Sequence, residues 1–325
     1  MKFAIIGTNY ISDLFVDAMS DVKDGEVIAI CSRSLQKAQS FSQKYDIPYS
    51  YDNYDKMIQD GYIDAVYIAT PNITHKDICL YFLERKIPVI CEKPLAINEK
   101  QVKEIIDCAY KNETCFLDAL VPLYTDNYLN LKNNLDLVGK LHRVDLVYSQ
   151  YSPSWDQYKI DQNVPAYQLA NGAGALMALG VYEVAIILDL FSQTDDIVAK
   201  ANFLQSGVDK QISAIFNYPE IQVTMYAGRG IKTNNLSCIQ GEKGTIYFSE
   251  VNRLSKVYFE DRISKEIIDL SINDKKEMAY EISEFINIVK NKKMESEYVP
   301  HDLSLKIIKT MDLMRKQINL KYPNE

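Results

Sequence analysis

Pro88-Val89-Ile90-Cys91-Glu92-Lys93-Pro94 reads as a short apolar strand that stops at a lysine held between a glutamate and a proline. A residue before proline is pushed toward extended backbone, so Lys93 is expected at the carboxyl tip of the strand. In an open parallel sheet, ligands bind outside that edge. The stretch then delivers one amine to a ligand crevice. Alone it reads more simply as a surface lysine, with Pro94 opening the next helix, where proline is tolerated. The flanking chain decides between the two.

Upstream, Phe3 to Ile6 is an apolar run of buried-strand type. Gly7-Thr8-Asn9-Tyr10-Ile11-Ser12 follows, and Ile11, Leu14, Phe15, Ala18 and Met19 then recur at helical spacing. The dinucleotide fingerprint wants glycines at its first, third and sixth positions. Only Gly7 is present; Asn9, which tolerates a left-handed backbone, and the small Ser12 replace the others. The turn still offers amides and a helix N-terminus to a pyrophosphate. Taken alone, an ordinary strand-to-helix turn reads the same.

A second strand, Glu26 to Cys31, ends at Ser32-Arg33-Ser34, with Lys37 one turn on. A carboxylate here serves the ribose hydroxyl of NAD, and an arginine suits the 2′-phosphate of NADP. Arg33 without a nearby acid favours NADP over NAD. The plain alternative is a solvated helix start with Ser34 as N-cap. Ala65 to Thr70 is a further buried strand and runs into Thr70-Pro71-Asn72-Ile73-Thr74-His75. Thr74 is expected to cap the next helix, and His75 is at most a cofactor contact. After the strand that ends at Lys93 come a helix from about 98 to 111 and a strand from Cys115 to Ala119. This alternation predicts a doubly wound parallel sheet over residues 1–120.

Beyond Pro122 the texture changes. A helix near 126–134 leads to a strand, Lys140 to Tyr151, whose apolar residues alternate. A loop from Ser152 to Val164 holds Trp155, the only tryptophan. Asn171-Gly172-Ala173-Gly174 opens an apolar helix to Phe191. From Val198 to Leu270, strand follows strand, with turns at Ser206-Gly207, Tyr218-Pro219, Gly228–Gly230 and Gly241–Gly244. Helices near 275–290 and 302–318 end the chain. The expectation is a second α/β domain over 121–325, with a large, mostly antiparallel open sheet.

Net charge is −8, with 36 basic and 44 acidic side chains. No basic block suggests nucleic acid or a membrane surface. No apolar run is read as long enough to span a membrane, and the start is too short for a signal peptide. Six scattered cysteines form no CxxC pair, so no metal site is expected. They read as reduced thiols of a cytoplasmic protein.

Together these pieces resemble the Gfo/Idh/MocA oxidoreductase superfamily. The resemblance rests on the N-terminal turn, Ser32-Arg33-Ser34, Thr70-Pro71-Asn72, Cys91-Glu92-Lys93-Pro94, Gly180-Val181-Tyr182 and Gln240-Gly241-Glu242-Lys243-Gly244-Thr245-Ile246. It implies a Rossmann domain, a second domain whose sheet forms a homodimer or a dimer of dimers, and NADP or NAD as cofactor. The cofactor side would be Gly7, Thr8, Asn9, Tyr10, Ile11, Ser32, Arg33, Ser34, Lys37, Thr70, Pro71, Asn72, His75, Glu92 and Lys93. Lys93 and Tyr182 would be the catalytic pair, acting on a sugar, polyol or diol, and the Lys93–Pro94 peptide is often cis in such proteins. Tyr182 places the chain beside glucose-fructose oxidoreductase and dimeric dihydrodiol dehydrogenase. With 23 tyrosines in the chain, a core role for Tyr182 is the plain alternative. Two departures stand out. Ala178 replaces the family's aspartate, one turn before Tyr182 on the same helix face, and Ser154 stands where close relatives carry arginine. These departures keep open a second reading, a cofactor-binding sensor without turnover.

Overall fold

Six parallel strands carry the first of two units into which the computed structural model, describing residues 1–323, divides. The elements are β1 (Lys2–Ile6), α1 (Tyr10–Ala18), β2 (Glu26–Cys31), α2 (Leu35–Tyr45), β3 (Tyr49–Tyr51), α3 (Tyr54–Gln59), β4 (Ala65–Ile68), α4 (His75–Leu83), β5 (Val89–Glu92), α5 (Glu99–Asn112) and β6 (Phe116–Ala119). The order β3-β2-β1-β4-β5-β6 reverses direction between β1 and β4. That is the doubly wound switch point expected from the alternating pattern. The central strands β1, β4 and β5 are apolar apart from Lys2 and Glu92 at their ends, and buried apart from Lys2, as a covered parallel sheet requires. The three-residue β3 escaped sequence reading, because so short an edge strand has no period to detect.

The second unit contains α6 (Asp126–Asn133), β7 (Leu141–Gln150), α7 (Pro153–Ile160), α8 (Val181–Phe191), β8 (Ile197–Phe203), β9 (Asp209–Asn217), β10 (Gln222–Arg229), β11 (Leu236–Gly241), β12 (Gly244–Ser249), β13 (Lys256–Asp261) and β14 (Ile267–Asp269). Its eight strands run in the order β14-β13-β12-β11-β7-β10-β9-β8. Only the β10–β7 pair is parallel; the others are antiparallel.

Of the last two helices, α9 (Glu277–Lys290) groups with the first unit and α10 (His301–Gln317) with the second. Sequence reading had placed everything after 121 in one domain. The apolar face of α9 explains the return: Phe285 is fully buried, with its ring 5.8 Å from that of Phe3. Chain order does not dictate which layer a helix covers.

Three further expectations need correction. Residues 153–160 form a helix rather than a loop, started by Pro153 in its first turn, where the fixed φ of proline suits helix entry. Gly228 and Arg229 end β10 instead of making a turn. The 23-residue stretch Leu169–Phe191 is long and apolar enough to cross a membrane, contrary to the sequence reading. It is the buried core helix of its unit, with 78% of its most apolar window covered.

Candidate active site

Gly7 ends β1 with φ +117°, and a Cβ there would lie 2.0 Å from the Ala69 carbonyl oxygen. Only glycine permits that approach, so the first fingerprint glycine keeps its reason. Asn9 does not use the left-handed backbone that asparagine tolerates. Its backbone is extended at φ −95°, and it caps α1, its Oδ1 accepting from the amides of Ile11 at 3.0 Å and Ser12 at 3.3 Å. Its Nδ2 donates to Ala69 O at 2.9 Å. Ser12 is buried and donates from Oγ to Gly7 O at 3.0 Å. The replacements lock the turn by side-chain hydrogen bonds where the fingerprint uses small size. The cradle at Gly7 and the α1 N-terminus therefore fit a dinucleotide pyrophosphate.

Arg33 and Lys37 are exposed, and Arg33 makes no ion pair among the described residues. Ser34 caps α2, the plain alternative for this stretch, its Oγ accepting from Lys37 N at 3.4 Å. Thr74 does not cap α4. Its hydroxyl donates to Pro71 O at 2.7 Å and reaches Thr70 Oγ1 at 2.8 Å. His75 is fully buried, with Nδ1 2.9 Å from Pro94 O and Nε2 2.8 Å from Thr70 O. Burial pulls its pKa down against the two carbonyls. The ring ties the Thr70-Pro71-Asn72 turn to the backbone after Lys93.

Lys93 follows β5 directly, half-buried, and its peptide to Pro94 is cis. Glu92 is turned inward and accepts from Tyr67 Oη at 2.7 Å. Burial pushes its carboxyl up, opposed by the Lys93 charge and the Tyr67 hydroxyl. Sequence reading missed Glu281 on α9, because a lone glutamate in a helix looks solvated. It is fully buried, and neither carboxylate oxygen has a hydrogen-bond partner among the described residues. Burial first, then Glu92 and Asp118, push its carboxyl well above the ordinary range, while Lys93 opposes.

In the second unit the segment preceding α8, Leu176–Gly180, is a single wide π turn. Such turns are rare and cluster at functional sites. The 3.6-residue spacing assumed between Ala178 and Tyr182 does not hold across it. Gly174, at φ +142°, leaves room for Asp209: a Cβ there would lie 1.9 Å from Asp209 Oδ1. The buried Asp209 accepts from Leu176 N at 2.6 Å and so holds the start of the wide turn. Burial pushes its carboxyl up to about 7. Tyr182 is buried, its ring edge-on to that of Tyr148 at 6.1 Å. Glu183 faces the interior, fully buried, and is no substitute for an acid at 178. Ser154 Oγ lies 3.2 Å from Tyr167 Oη.

A Rossmann sheet with a one-glycine turn, followed by a mixed sheet bearing a glycine-started helix, defines a two-domain dinucleotide-dependent oxidoreductase. Residues 1–118 match the oxidoreductase family with an NAD-binding Rossmann fold, and residues 136–247 match the GFO/IDH/MocA C-terminal domain. The NADP-dependent scyllo-inositol 2-dehydrogenase IolU of Bacillus subtilis is 33% identical over 324 residues, covering 99% of this chain and 98% of that one. Trans-1,2-dihydrobenzene-1,2-diol dehydrogenase of Danio rerio is 26% identical, covering 100% and 99%. KijD10, a 3-ketoreductase of Actinomadura kijaniata solved with TDP-benzene and NADP in an open conformation, shares the fold at TM-score 0.82 and 18% identity, with 98% of each chain covered. The chain belongs to the GFO/IDH/MocA oxidoreductase family.

Proposed function

We propose that this protein is an NADP-dependent oxidoreductase acting on a CH–OH or carbonyl carbon of a small polyol, sugar or diol, with Lys93 and Tyr182 as its proton-transfer pair. NAD is the second cofactor. The observation that carries the reading is Lys93 at the carboxyl tip of β5, in the same unit as the Gly7 cradle. When bound, the nicotinamide supplies or accepts the hydride. The chain must do the rest. The first unit orients the dinucleotide by the α1 amides and by Arg33 on the 2′-phosphate. Lys93 and Tyr182 exchange the hydroxyl proton. The reacting carbon needs holding within roughly 3–3.5 Å. The kinship with an inositol and a dihydrodiol dehydrogenase supports a substrate with neighbouring hydroxyls. The protein acts in the cytoplasm as a homodimer built through the large sheet; the six free thiols and the acidic surface accord with this reading.

The test is reduction of NADP⁺ or NAD⁺ by the intact protein with inositols, aldoses and trans-diols. Turnover is expected, faster with NADP⁺. Arg33→Ala should weaken NADPH binding about tenfold, near the value of one charge-assisted contact, and leave NADH little changed. Cofactor binding without turnover on any polyol, sugar or diketone would reject the enzyme. Equal weakening of both nucleotides would reject the role given to Arg33.

A further inference from the structure

The second unit carries Ser154 and Ala178 where the resemblance implies an arginine and an aspartate, and it holds an arginine that no sequence motif announced. Arg229 ends β10, where it pairs with Gln150 of β7. Side chains alternate along a strand, and Val223, Met225 and Ala227 fill the face that Arg229 continues. That face lies under the wide turn: Gly180 sits over Met225 and Ala227, a Cβ there meeting them at 3.1 and 3.5 Å. Tyr148, the neighbour of Ala227 across β7, meets the ring of Tyr182.

The guanidinium packs against Tyr167, and Asp209 and Tyr322 also act on its charge. One nitrogen, Nη1, donates to Ala166 O at 2.7 Å, and the guanidinium carbon lies 4.9 Å from the Tyr167 ring centre. The Tyr167 hydroxyl is in turn at Ser154. Its Nε is buried without a hydrogen-bond partner among the described residues. An arginine used only as a strut would be expected to satisfy such a donor, since a buried unpaired N–H is costly. Its positive field reaches the Asp209 carboxyl and the Tyr148 phenol.

We propose that Arg229 is the substrate-binding guanidinium of this protein, replacing from β10 the group that Ser154 cannot supply and gripping two adjacent oxygens of the substrate. The planar fork of arginine matches paired oxygens. They can be vicinal hydroxyls of a polyol or the two oxygens of a sugar acid. The inference rests on the polyol reading above, and a binding assay separates the two.

Binding of scyllo-inositol and of D-glucuronate to the NADP-loaded protein is measured calorimetrically, beside NADPH affinity and the melting temperature. Arg229→Gln should lower affinity for the preferred probe at least about tenfold, with NADPH affinity unchanged. Arg229→Lys should restore glucuronate more than inositol if the partner is a carboxylate, and neither if it is a diol. Added guanidinium should partly rescue Arg229→Ala by lowering KM. Unchanged probe affinity in a folded Arg229→Gln overturns the proposal, as does a wild type that binds neither probe. A melting point that falls while KM holds assigns Arg229 a purely structural role and also overturns it. Probe binding lost in the variant, in a protein that never turns over, supports Arg229 and sinks the reaction instead.

Discussion

The two units build their parts of the site by opposite means. In the first, each contributor is a short contiguous stretch at a strand tip: 7–12, 32–34, 70–75 and 92–94. A parallel sheet sends all its strand ends to one edge, so local motifs assemble without long-range information. In the second, the candidate contributors are single residues spread over many strands and turns: Tyr148, Ser154, Tyr167, Tyr182, Asp209 and Arg229. A mixed sheet collects side chains across its face, and no segment of sequence spells the result. The difference matches the two proposed tasks, holding a nucleotide and choosing a substrate.

Removing the two groups proposed for proton transfer is the strongest way to break this division of labour. Lys93→Met and Tyr182→Phe should each lower kcat by about 10²–10⁴-fold, the range of one general acid or base. Neither should abolish NADPH binding, measured by fluorescence. Near wild-type turnover in Lys93→Met would remove the lysine from the chemistry, and the same result in Tyr182→Phe would return that tyrosine to the core. A double variant no slower than either single one would mean that the two act as a unit.

A smaller effect sets one glycine against the other. Gly7 and Gly174 both have φ in the region that favours glycine, and both admit an oxygen where a Cβ would stand. At Gly7 that oxygen is a backbone carbonyl of the neighbouring strand end and cannot yield. At Gly174 it belongs to the Asp209 side chain, which can rotate. Backbone strain of this kind costs about 1–3 kcal/mol. Gly7→Ala should exceed that range and lose NADPH binding. Gly174→Ala should stay within it, keep NADPH and slow turnover by disturbing the helix that carries Tyr182. Denaturant unfolding and nucleotide titration measure both, and equal losses of NADPH would contradict the contrast.

What could be read in the sequence follows the same line. The Rossmann order was legible because buried parallel strands are continuous apolar runs and their turns carry glycine, serine and proline for stated reasons. The cap at Ser34 was legible too. The true role of Asn9 was not, since a cap and a left-handed turn use the same residue type. The burial of His75 was not legible, because nothing local reveals that the carbonyls of Thr70 and Pro94 enclose it. The helix at 153–160 was hidden by a sequence without a clean apolar face, although Pro153 in the first turn was the available signal. Arg229 stood between two glycines and was taken for part of a turn. Gly230, with φ +76°, in fact leaves space for Trp155, whose ring lies 2.4 Å from where a Cβ would stand.

The smallest effect concerns the carboxyl that sequence reading overlooked. Glu281 is buried in the first unit near Glu92, Asp118 and Lys93, with its pKa raised chiefly by burial. An unfolded glutamate titrates near 4.3. Between that value and the raised one, the folded chain holds a proton that the unfolded chain has released. Stability therefore falls as pH rises through this window. Glu281→Gln removes the titration while keeping shape and polarity. Its melting temperature should gain on the wild type between pH 5.5 and 8.5, each kcal/mol of linkage being worth about 2–4 °C in a domain of 150–250 residues. A constant difference between the two proteins across that range would mean that Glu281 ionises normally, and that Lys93 or a solvent path offsets its burial. The same variant sharpens the contrast between the units. If Glu281 also sets the proton affinity of Lys93, the pH profile of kcat should move in Glu281→Gln while substrate preference, set in the other unit, stays fixed.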